Sequence, residues 1–264
     1  MNRVCVFGLG EAGSAIAGDL AAAGVDVDGY DPADVATPAG VRRHETPTTA
    51  VANSELVLGI TTAVDAITAL TQALDAIPRR AIYADLSTAS AGLKQRLAQL
   101  AAKAGLGFVD VALMSPVPGN GLRTPALASG PAAADFVGLM RPVGMPVEHA
   151  GDEPGLAATR KLLRSVVMKG LASLVIESLQ AAEAAGLTAE TWDNVVAQLA
   201  AADESLIRRL VTSTGPHVCR RLDEMEATAE LLAELGVEPI MTRSTLARLR
   251  QIAADPTTVP DLPN

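Results

Sequence analysis

Aromatic side chains are almost absent from this sequence. Its 264 residues include one Trp, two Tyr and three Phe, together 2% of the chain. Proteins that read single-stranded nucleic acid stack its bases on aromatic rings, so the composition disfavours that class. An excess of basic residues is also lacking, because the formal net charge is −9. Without positive charge to neutralise a phosphate backbone, no nucleic-acid partner is expected.

Cysteine, metal-binding motifs and long apolar runs are scarce as well. Cys5 and Cys219 make no disulfide framework and are expected to be small buried residues. The three histidines lie far apart and no CxxC or HExxH motif occurs, so no metal site is expected. The most apolar run, Gly170 to Ile176, stops at Glu177 and is too short for a membrane span. A strand-like run from Val4 occupies the place of a signal peptide, so the sequence predicts a cytoplasmic protein.

Short β-branched runs alternate with alanine-rich segments of helical period over the first 150 residues. This alternation predicts a Rossmann-type, doubly wound α/β domain with a mainly parallel sheet over residues 1–150. The expected strands are Arg3–Phe7, Val25–Tyr30, Leu56–Ile60, Ala81–Leu86, Gly107–Val111, Ala126–Ser129 and Pro146–Glu148. The expected helices are Ala12–Ala23, Ala63–Asp75, Ser90–Ala104 and Ala132–Met140.

The strand pattern stops after residue 150. Residues 151–264 are therefore expected to form an all-α C-terminal domain for substrate binding and dimerisation. Its expected helices are Leu156–Ala185, Ala189–Ala202, Glu204–Val211, Pro216–Leu235 and Pro239–Ala253. Gly186 is expected to end the long helix and Thr188 to cap the next one. The proline-rich residues 255–264 are expected to form an exposed tail.

The strongest local motif is the GxGxxG sequence that runs from Gly8 to Gly13 between the first strand and the first helix. In a dinucleotide-binding turn, Gly8 allows the tight turn, Gly10 the approach of a pyrophosphate, and Gly13 close packing of the helix. The amides at the helix N-terminus then face the phosphates. The alternative is a strand–helix turn without a ligand.

An acidic residue, Asp31, ends the second expected strand. A carboxylate there can accept hydrogen bonds from both ribose hydroxyls of an adenosine and repels a 2′-phosphate, which favours NAD over NADP. Asp31 could instead be a turn residue before Pro32. Arg42 and Arg43 follow in the sequence and keep NADP possible, since either could bind a 2′-phosphate.

Lysine is used sparingly. Of the 21 basic residues, only Lys94, Lys103, Lys161 and Lys169 are lysines. Arginine serves a solvated surface equally well, whereas the pKa of a lysine shifts readily on burial. Lys161 shares a face of the long helix with Ser165, and Lys169 lies beside it, which makes a candidate acid/base site. The alternative is a charged helix start that includes Arg160 and Arg164.

A second polar stripe lies on the helix expected at Pro216–Leu235. His217, Arg221, Glu224 and Thr228 are spaced to fall on one side of it. Arg221 in such a stripe could bind a carboxylate or phosphate of a substrate. The stripe could equally be a solvated face with an internal Arg–Glu pair.

Four segments follow one another along the chain. They are Phe-Gly-Leu-Gly-Glu-Ala-Gly-Ser at 7–14, Asp-Leu-Ser-Thr at 85–88, Phe-Val-Asp-Val-Ala-Leu-Met-Ser-Pro-Val at 108–117, and Lys-Leu-Leu-Arg-Ser at 161–165. In order and spacing they resemble the β-hydroxyacid dehydrogenase / 6-phosphogluconate dehydrogenase superfamily. With Lys169-Gly170 and the run from Arg220 to Glu226, the second half is similar to phosphogluconate-dehydrogenase-like proteins that have a distinct helical C-terminal domain.

The resemblance implies an NAD(P)-dependent dehydrogenase or reductase with Lys161 as its catalytic general acid/base. It implies a homodimer formed through the helical half. Cofactor contacts are implied for Gly8, Gly10, Glu11, Ala12, Gly13, Thr61, Thr62, Ser87 and Thr88, in addition to Asp31. The candidate substrate-binding residues are Met114, Ser115, Pro116, Arg164, Ser165, Lys169, His217 and Arg221.

Two departures from the family pattern concern the substrate. The family's Ser-Gly-Gly is replaced by Met114-Ser115-Pro116, and Pro116 lacks an amide that could bind a carboxylate. The family's asparagine is replaced by Arg164. The expected substrate is a small hydroxy acid or a related alcohol or carbonyl, and the alternative is an imine or ketone reductase for a carboxylate-free substrate. A non-catalytic dinucleotide sensor, which needs Gly10 and Asp31 but not Lys161, is the third hypothesis.

Overall fold

The computed structural model describes residues 3–263. The chain divides after Arg164 into two compact units, whereas the sequence pattern placed the boundary after residue 150. The physical reason lies in the first turn of the long helix. The Ala157 amide donates to Ser129 Oγ at 2.9 Å and the Ala158 amide to Asp110 Oδ2 at 2.9 Å, so this turn is hydrogen-bonded to the sheet.

The first unit is built on an eight-stranded sheet. Its strands are β1 (Arg3–Phe7), β2 (Asp26–Tyr30), β3 (Val41–Arg43), β4 (Leu56–Gly59), β5 (Ile82–Asp85), β6 (Gly107–Leu113), β7 (Ala126–Ser129) and β8 (Val147–Gly151). The order across the sheet is β3-β2-β1-β4-β5-β6-β7-β8. Neighbouring strands are parallel except for β6 and β7. The predicted Rossmann-type fold is confirmed.

Helices cover both faces of this sheet. They are α1 (Glu11–Ala22), α2 (Pro47–Val51), α3 (Ala66–Ala73), α4 (Ala91–Lys103) and α5 (Ala133–Met140). Side chains alternate along β1, so Val4 and Val6 pack into one apolar core while Cys5 and Phe7 pack into the other. Because both faces are buried, the central strand β4 is apolar throughout and does not alternate with polar residues.

Two short elements were not predicted from the sequence. Strand β3 has three residues, two of them arginines, and pairs only with β2 at the edge of the sheet. Helix α2 has five residues and is capped by Thr46, whose Oγ1 accepts a hydrogen bond from the Thr49 amide. Neither is long enough to show a hydrophobic period.

The regular secondary structure of the second unit is helical, and its last α-helix ends at Ala254. Helix α6 (Leu156–Ala185) crosses the unit boundary, and α7 (Thr188–Ala200), α8 (Glu204–Thr212), α9 (Val218–Glu234) and α10 (Ile240–Ala254) follow. The predicted all-α C-terminal region is confirmed. None of the helices in residues 3–263 is both long enough and apolar enough to cross a membrane.

Several local predictions for this unit need adjustment. Gly186 has φ of 72° and ends α6 as expected, but Thr188 is the first residue of α7 and not its cap. Cys219 is exposed, not buried. In the expected tail, residues 256–258 form a 3₁₀ turn and the Pro263 carbonyl accepts a hydrogen bond from Arg208. Asn264 lies outside the described residues.

Candidate functional site

A cleft of about 640 Å³ opens at the carboxyl ends of the central strands of the first unit. Its walls come from the residues that follow β1, β2, β4 and β5, and from the end of β6. From β1 the chain continues to β2 and β3 toward one edge of the sheet, whereas from β4 it continues toward the opposite edge. Open α/β sheets bind ligands at this switch point.

The glycine-rich turn forms one wall of the cleft. Gly8 has φ of 89°, and a Cβ on it would lie 2.2 Å from the Ile60 carbonyl oxygen. A Cβ on Gly13 would lie 1.8 Å from the Gly8 carbonyl oxygen, while one on Gly10 would meet no atom within 4 Å. Gly8 and Gly13 thus permit the tight packing, and Gly10 leaves open space in front of α1. That helix has no side-chain cap, so its first amides remain available to an anion.

Asp31 lies at the end of β2 and lines the cleft. Its Oδ2 accepts a hydrogen bond from the Leu9 amide at 2.7 Å, and its Oδ1 accepts one from the Ala33 amide at 2.8 Å. The carboxylate is therefore oriented by the glycine-rich turn on one side and by its own turn on the other. The turn-forming role and a place in the cleft, posed as alternatives from the sequence, occur together.

The two arginines near Asp31 have other partners. Arg42 donates to Asp28 Oδ1 at 2.8 Å. Arg43 donates to the backbone carbonyl oxygens of Val35, Ala33 and Asp31, which fixes the segment between β2 and β3. Neither arginine is among the residues that line the cleft.

Lys161 also lines the cleft. It is on the second turn of α6, and its Nζ donates a hydrogen bond to Thr88 Oγ1 at 2.9 Å. Thr88 follows β5 and also lines the cleft. An amine and a hydroxyl thus meet at the strand end, which is an arrangement that can transfer a proton to or from a bound group.

The other predicted cofactor contacts divide into two groups. Glu11, Ala12, Thr61 and Thr62 line the cleft, and Thr62 Oγ1 donates to Asp65 Oδ2 at 2.6 Å. Ser87 does not line it: its side chain is buried and its hydroxyl donates to Asp85 Oδ2 at 2.7 Å.

The predicted substrate loop is only partly directed toward the cleft. Ser115 lines it, whereas Met114 lies on a separate surface groove and Pro116 is exposed. Arg164 does not line the cleft either; its guanidinium donates to the Met114 carbonyl oxygen. Arg164 therefore fixes the backbone of the predicted substrate loop at Met114.

The remaining predicted substrate residues belong to the second unit. Ser165 is half-buried and Lys169 is exposed on α6, and His217 is exposed before α9. Arg221 donates to Thr214 Oγ1 at 2.6 Å and to Ser213 Oγ at 2.8 Å. The Arg–Glu pair on this helix involves Arg220 and Glu224, 3.6 Å apart.

Several cleft residues and one buried cluster were not predicted from the sequence. Further lining comes from Tyr30, Pro32, Ile60, Asp65, Thr68, Gln72, Leu86, Leu113 and Val117. The cluster contains Lys94, Asp85 and Asp110, all fully buried. The scarcity of lysine was a usable signal for Lys94 but was applied only to the long helix.

A glycine-rich turn, an acid at the end of the second strand and a cleft at the sheet's switch point define a Rossmann-type dinucleotide-binding protein. Residues 3–123 match the NAD binding domain of 6-phosphogluconate dehydrogenase. Residues 182–252 match a domain of unknown function, DUF1932. Residues 3–123 thus form an NAD-binding domain of the 6-phosphogluconate dehydrogenase type, and a DUF1932 domain follows, which confirms the resemblance seen in the sequence.

Solved structures share this architecture over nearly the whole chain. A conserved hypothetical protein from Sinorhizobium meliloti 1021 is 27% identical, with a TM-score of 0.63 over 96% of this chain and 89% of that one. An imine reductase from Streptomyces aurantiacus is 24% identical, with a TM-score of 0.81 over 96% and 95%. A reductive aminase from Aspergillus terreus in complex with NADPH and ethyl levulinate is 18% identical, with a TM-score of 0.79 over 99% and 96%. The likeness to the two enzymes is one of fold.

Proposed function

We propose that the protein is an NAD(P)-dependent oxidoreductase that transfers hydride between a nicotinamide cofactor and a small hydroxy acid or a related alcohol or carbonyl. Lys161 is its general acid/base. The observation that carries this proposal is the position of the Lys161 amine in the dinucleotide cleft, 2.9 Å from Thr88 Oγ1. A protein that only sensed a dinucleotide would have no use for an amine there.

The residues present fit a dinucleotide. The open space at Gly10 and the close approach at Gly13 make the cradle that a Cβ would fill, and the uncapped start of α1 provides amides for a pyrophosphate. When bound, the nicotinamide supplies or accepts the hydride. Thr88 and Ser115 provide hydroxyl groups to the cleft, and Thr88 is in contact with Lys161.

Lys161 handles the proton that accompanies the hydride. In oxidation, its neutral amine takes the proton of the substrate hydroxyl while the carbon gives up hydride. In reduction, its ammonium donates a proton to the oxygen that becomes the alcohol. Thr88 Oγ1 accepts a hydrogen bond from the ammonium and so fixes its position in the cleft.

The cofactor we propose is NAD in preference to NADP. The Asp31 carboxylate lies where an adenosine ribose would bind, and it would repel a 2′-phosphate. Arg42 and Arg43 are committed to Asp28 and to three backbone carbonyls. In this respect we expect the protein to differ from the reductive aminase, which was solved with NADPH.

A reductase for imines or ketones without a carboxylate is the second candidate. Leu86, Leu113 and Val117 line the cleft, and Pro116 has no amide to offer a carboxylate. In this reaction the Lys161 ammonium would donate its proton to the imine nitrogen or carbonyl oxygen. The fold shared with imine reductases is consistent with this candidate.

We also propose a homodimer formed through the second unit. Trp192, Val196 and Leu199 lie at i, i+4 and i+7 on α7 and are 53%, 44% and 46% exposed. Large exposed apolar residues in one stripe mark an interaction surface. A second copy of the chain is the partner we favour, because the superfamily resemblance implies dimers through this half.

The test is a turnover screen with NADH and NADPH against 3-hydroxy acids, ketones and cyclic imines, followed by Lys161→Met on the best substrate. Removing the amine should lower kcat about a hundredfold to ten-thousandfold while dinucleotide binding persists. Lys103→Met is the matched control, because Lys103 is exposed on α4 and should leave kcat unchanged. Turnover by Lys161→Met at the wild-type rate would contradict the acid/base role, and turnover on imines alone would favour the second candidate.

A further inference from the structure

The first unit contains a buried charge cluster that the proposed acid/base chemistry does not use. Lys94 on α4, Asp85 at the end of β5 and Asp110 on β6 have no solvent exposure. Lys94 Nζ lies 3.0 Å from Asp85 Oδ2 and 3.1 Å from Asp110 Oδ1, and it also donates to the Asp85 carbonyl oxygen at 2.9 Å. Buried charges are costly unless their remaining hydrogen-bonding capacity is used, so the other partners of the two carboxylates indicate what the cluster holds.

Asp110 connects the cluster to the start of α6. Its Oδ2 accepts hydrogen bonds from the Ala158 amide at 2.9 Å and from the Ser129 hydroxyl at 3.2 Å. Ser129 Oγ in turn accepts one from the Ala157 amide at 2.9 Å. Amides in the first turn of a helix have no intrahelical acceptor, and a carboxylate there also faces the positive end of the helix dipole. Asp110 thus caps, from a strand, the helix that carries Lys161 in its next turn.

Asp85 connects the same cluster to the loop on the other side of Lys161. Its Oδ2 accepts a hydrogen bond from the Ser87 hydroxyl at 2.7 Å, and its Oδ1 accepts one from the Ser87 amide at 3.3 Å. The next residue, Thr88, accepts the hydrogen bond from Lys161. Both segments that meet at the Lys161–Thr88 contact are therefore anchored on the ammonium of Lys94.

We propose that Asp110, fixed by Lys94, is a positioning residue for Lys161. This inference rests on the proposed function, because Lys161 matters only if it acts in the cleft. Asp110 Oδ1 forms an ion pair with the Lys94 ammonium 3.1 Å away, and Asp110 Oδ2 accepts a hydrogen bond from the Ala158 amide. An asparagine has the same shape, but whichever way it is turned, its NH₂ group faces one of these donors. The position therefore requires a carboxylate.

The small number of lysines permits a direct test. Reductive methylation with ¹³C-formaldehyde labels accessible amines, and Lys→Arg variants assign the resonances of Lys103, Lys161 and Lys169. In Asp110→Asn the Lys161 resonance should move toward that of exposed Lys103. The first-turn amides of α6 should exchange with solvent about tenfold faster or more, since a hydrogen bond to a charged acceptor is lost. Asp135→Asn, the same change at an exposed position of α5, should alter neither.

A folded Asp110→Asn protein with the wild-type Lys161 resonance and wild-type amide exchange would overturn the inference. If circular dichroism shows that this variant does not fold, Ser129→Ala removes the acceptor of the Ala157 amide with a smaller loss. It should shift the Lys161 resonance in the same direction, and an unchanged resonance would likewise overturn the inference. These readouts need no turnover, so a failed acid/base role and a failed positioning role are distinguishable.

Discussion

The two units of this chain bury their side chains to different extents. In the first unit, both faces of the sheet are covered and even charged groups such as Lys94 and Asp85 are fully buried with partners. In the second unit, neither α7 nor α8 contains a buried residue, and large apolar side chains such as Ile176 and Trp192 are 58% and 53% exposed. The first unit forms a complete core within one chain, whereas the second leaves large apolar side chains exposed.

This contrast bears on how function is divided. A sheet covered on both faces can hold the glycine-rich turn and Asp31 at fixed strand ends, and it also holds the first turn of the helix that carries Lys161. The helical unit provides few buried contacts of its own. One of the strongest is Glu177 on α6, which accepts hydrogen bonds from the Met241 and Thr242 amides at 2.6 and 2.8 Å and so caps α10. This contrast agrees with the proposals that chemistry belongs to the first unit and association to the second.

The largest predicted effect is on the stability of the first unit. Lys94→Met keeps an unbranched side chain of similar length but leaves Asp85 and Asp110 buried without a cation. Breaking a buried ion pair by removing one partner costs about 3–5 kcal/mol. Chemical denaturation should show this loss, whereas Lys103→Met on the same helix should change the free energy of unfolding by less than about 0.5 kcal/mol. Equal stability of the two variants would mean that the cluster is not needed for folding.

The next effect concerns association through the second unit. Val196→Glu places a charge in the exposed apolar stripe of α7, and burying it in a dimer would weaken association about a hundredfold. Light scattering at micromolar concentration should show a dimer for the wild type and a shift to monomer for the variant. Asn194→Glu introduces the same charge on the opposite side of α7 and should remain dimeric. A wild-type protein that is monomeric would remove the dimer proposal.

The smallest effect is a pH dependence inside the second unit. Burial by itself raises the pKa of Glu177. Hydrogen bonds from the Thr242 side chain and from the Met241, Thr242 and Ile240 amides lower this pKa by a larger amount, so the net shift is downward. A carboxyl group with a lowered pKa in the folded state adds stability above its ordinary pKa and loses it as the pH falls through the folded value.

Glu177→Gln should therefore destabilise the protein by about 1–2 kcal/mol at neutral pH, and the difference from wild type should shrink in acid. Thermal denaturation at several pH values measures it. Glu183→Gln, an exposed change near the end of α6, is the control. A difference that stayed constant down to acid pH would show that the ionised carboxylate is not what caps α10.

The sequence predicted most of the first unit, and the reasons are physical. Apolar runs and helical periods are local properties, so seven of the strands and the glycine-rich turn could be placed from them. The acid at Asp31 and the amine at Lys161 followed from strand ends and helix position, and both line the cleft. The direction of a loop side chain depends on backbone turns that the pattern does not encode. For that reason the sequence predicts Ser87 and Met114 as ligand contacts, although neither residue lines the cleft.

The buried cluster and the exposed apolar stripe were beyond the sequence for a different reason. Asp85, Lys94 and Asp110 lie on three different elements and become one group only when β5, α4 and β6 pack together. The apolar residues of α7 read like core residues, because a periodic pattern identifies a face but not what covers it. Both the pairing of the buried charges and the exposure of the apolar stripe become visible only in the folded structure.

The measurement that tests the account most directly is a fluorescence titration of the purified protein with NADH and, separately, with NADPH. We expect NADH to bind about tenfold more tightly than NADPH or better, because Asp31 would accept hydrogen bonds from the ribose and repel a 2′-phosphate. Asp31→Ser should remove most of that preference. Tighter binding of NADPH would show that Arg42 or Arg43 leaves its present partner for the 2′-phosphate. Binding of neither dinucleotide would contradict the proposed oxidoreductase itself.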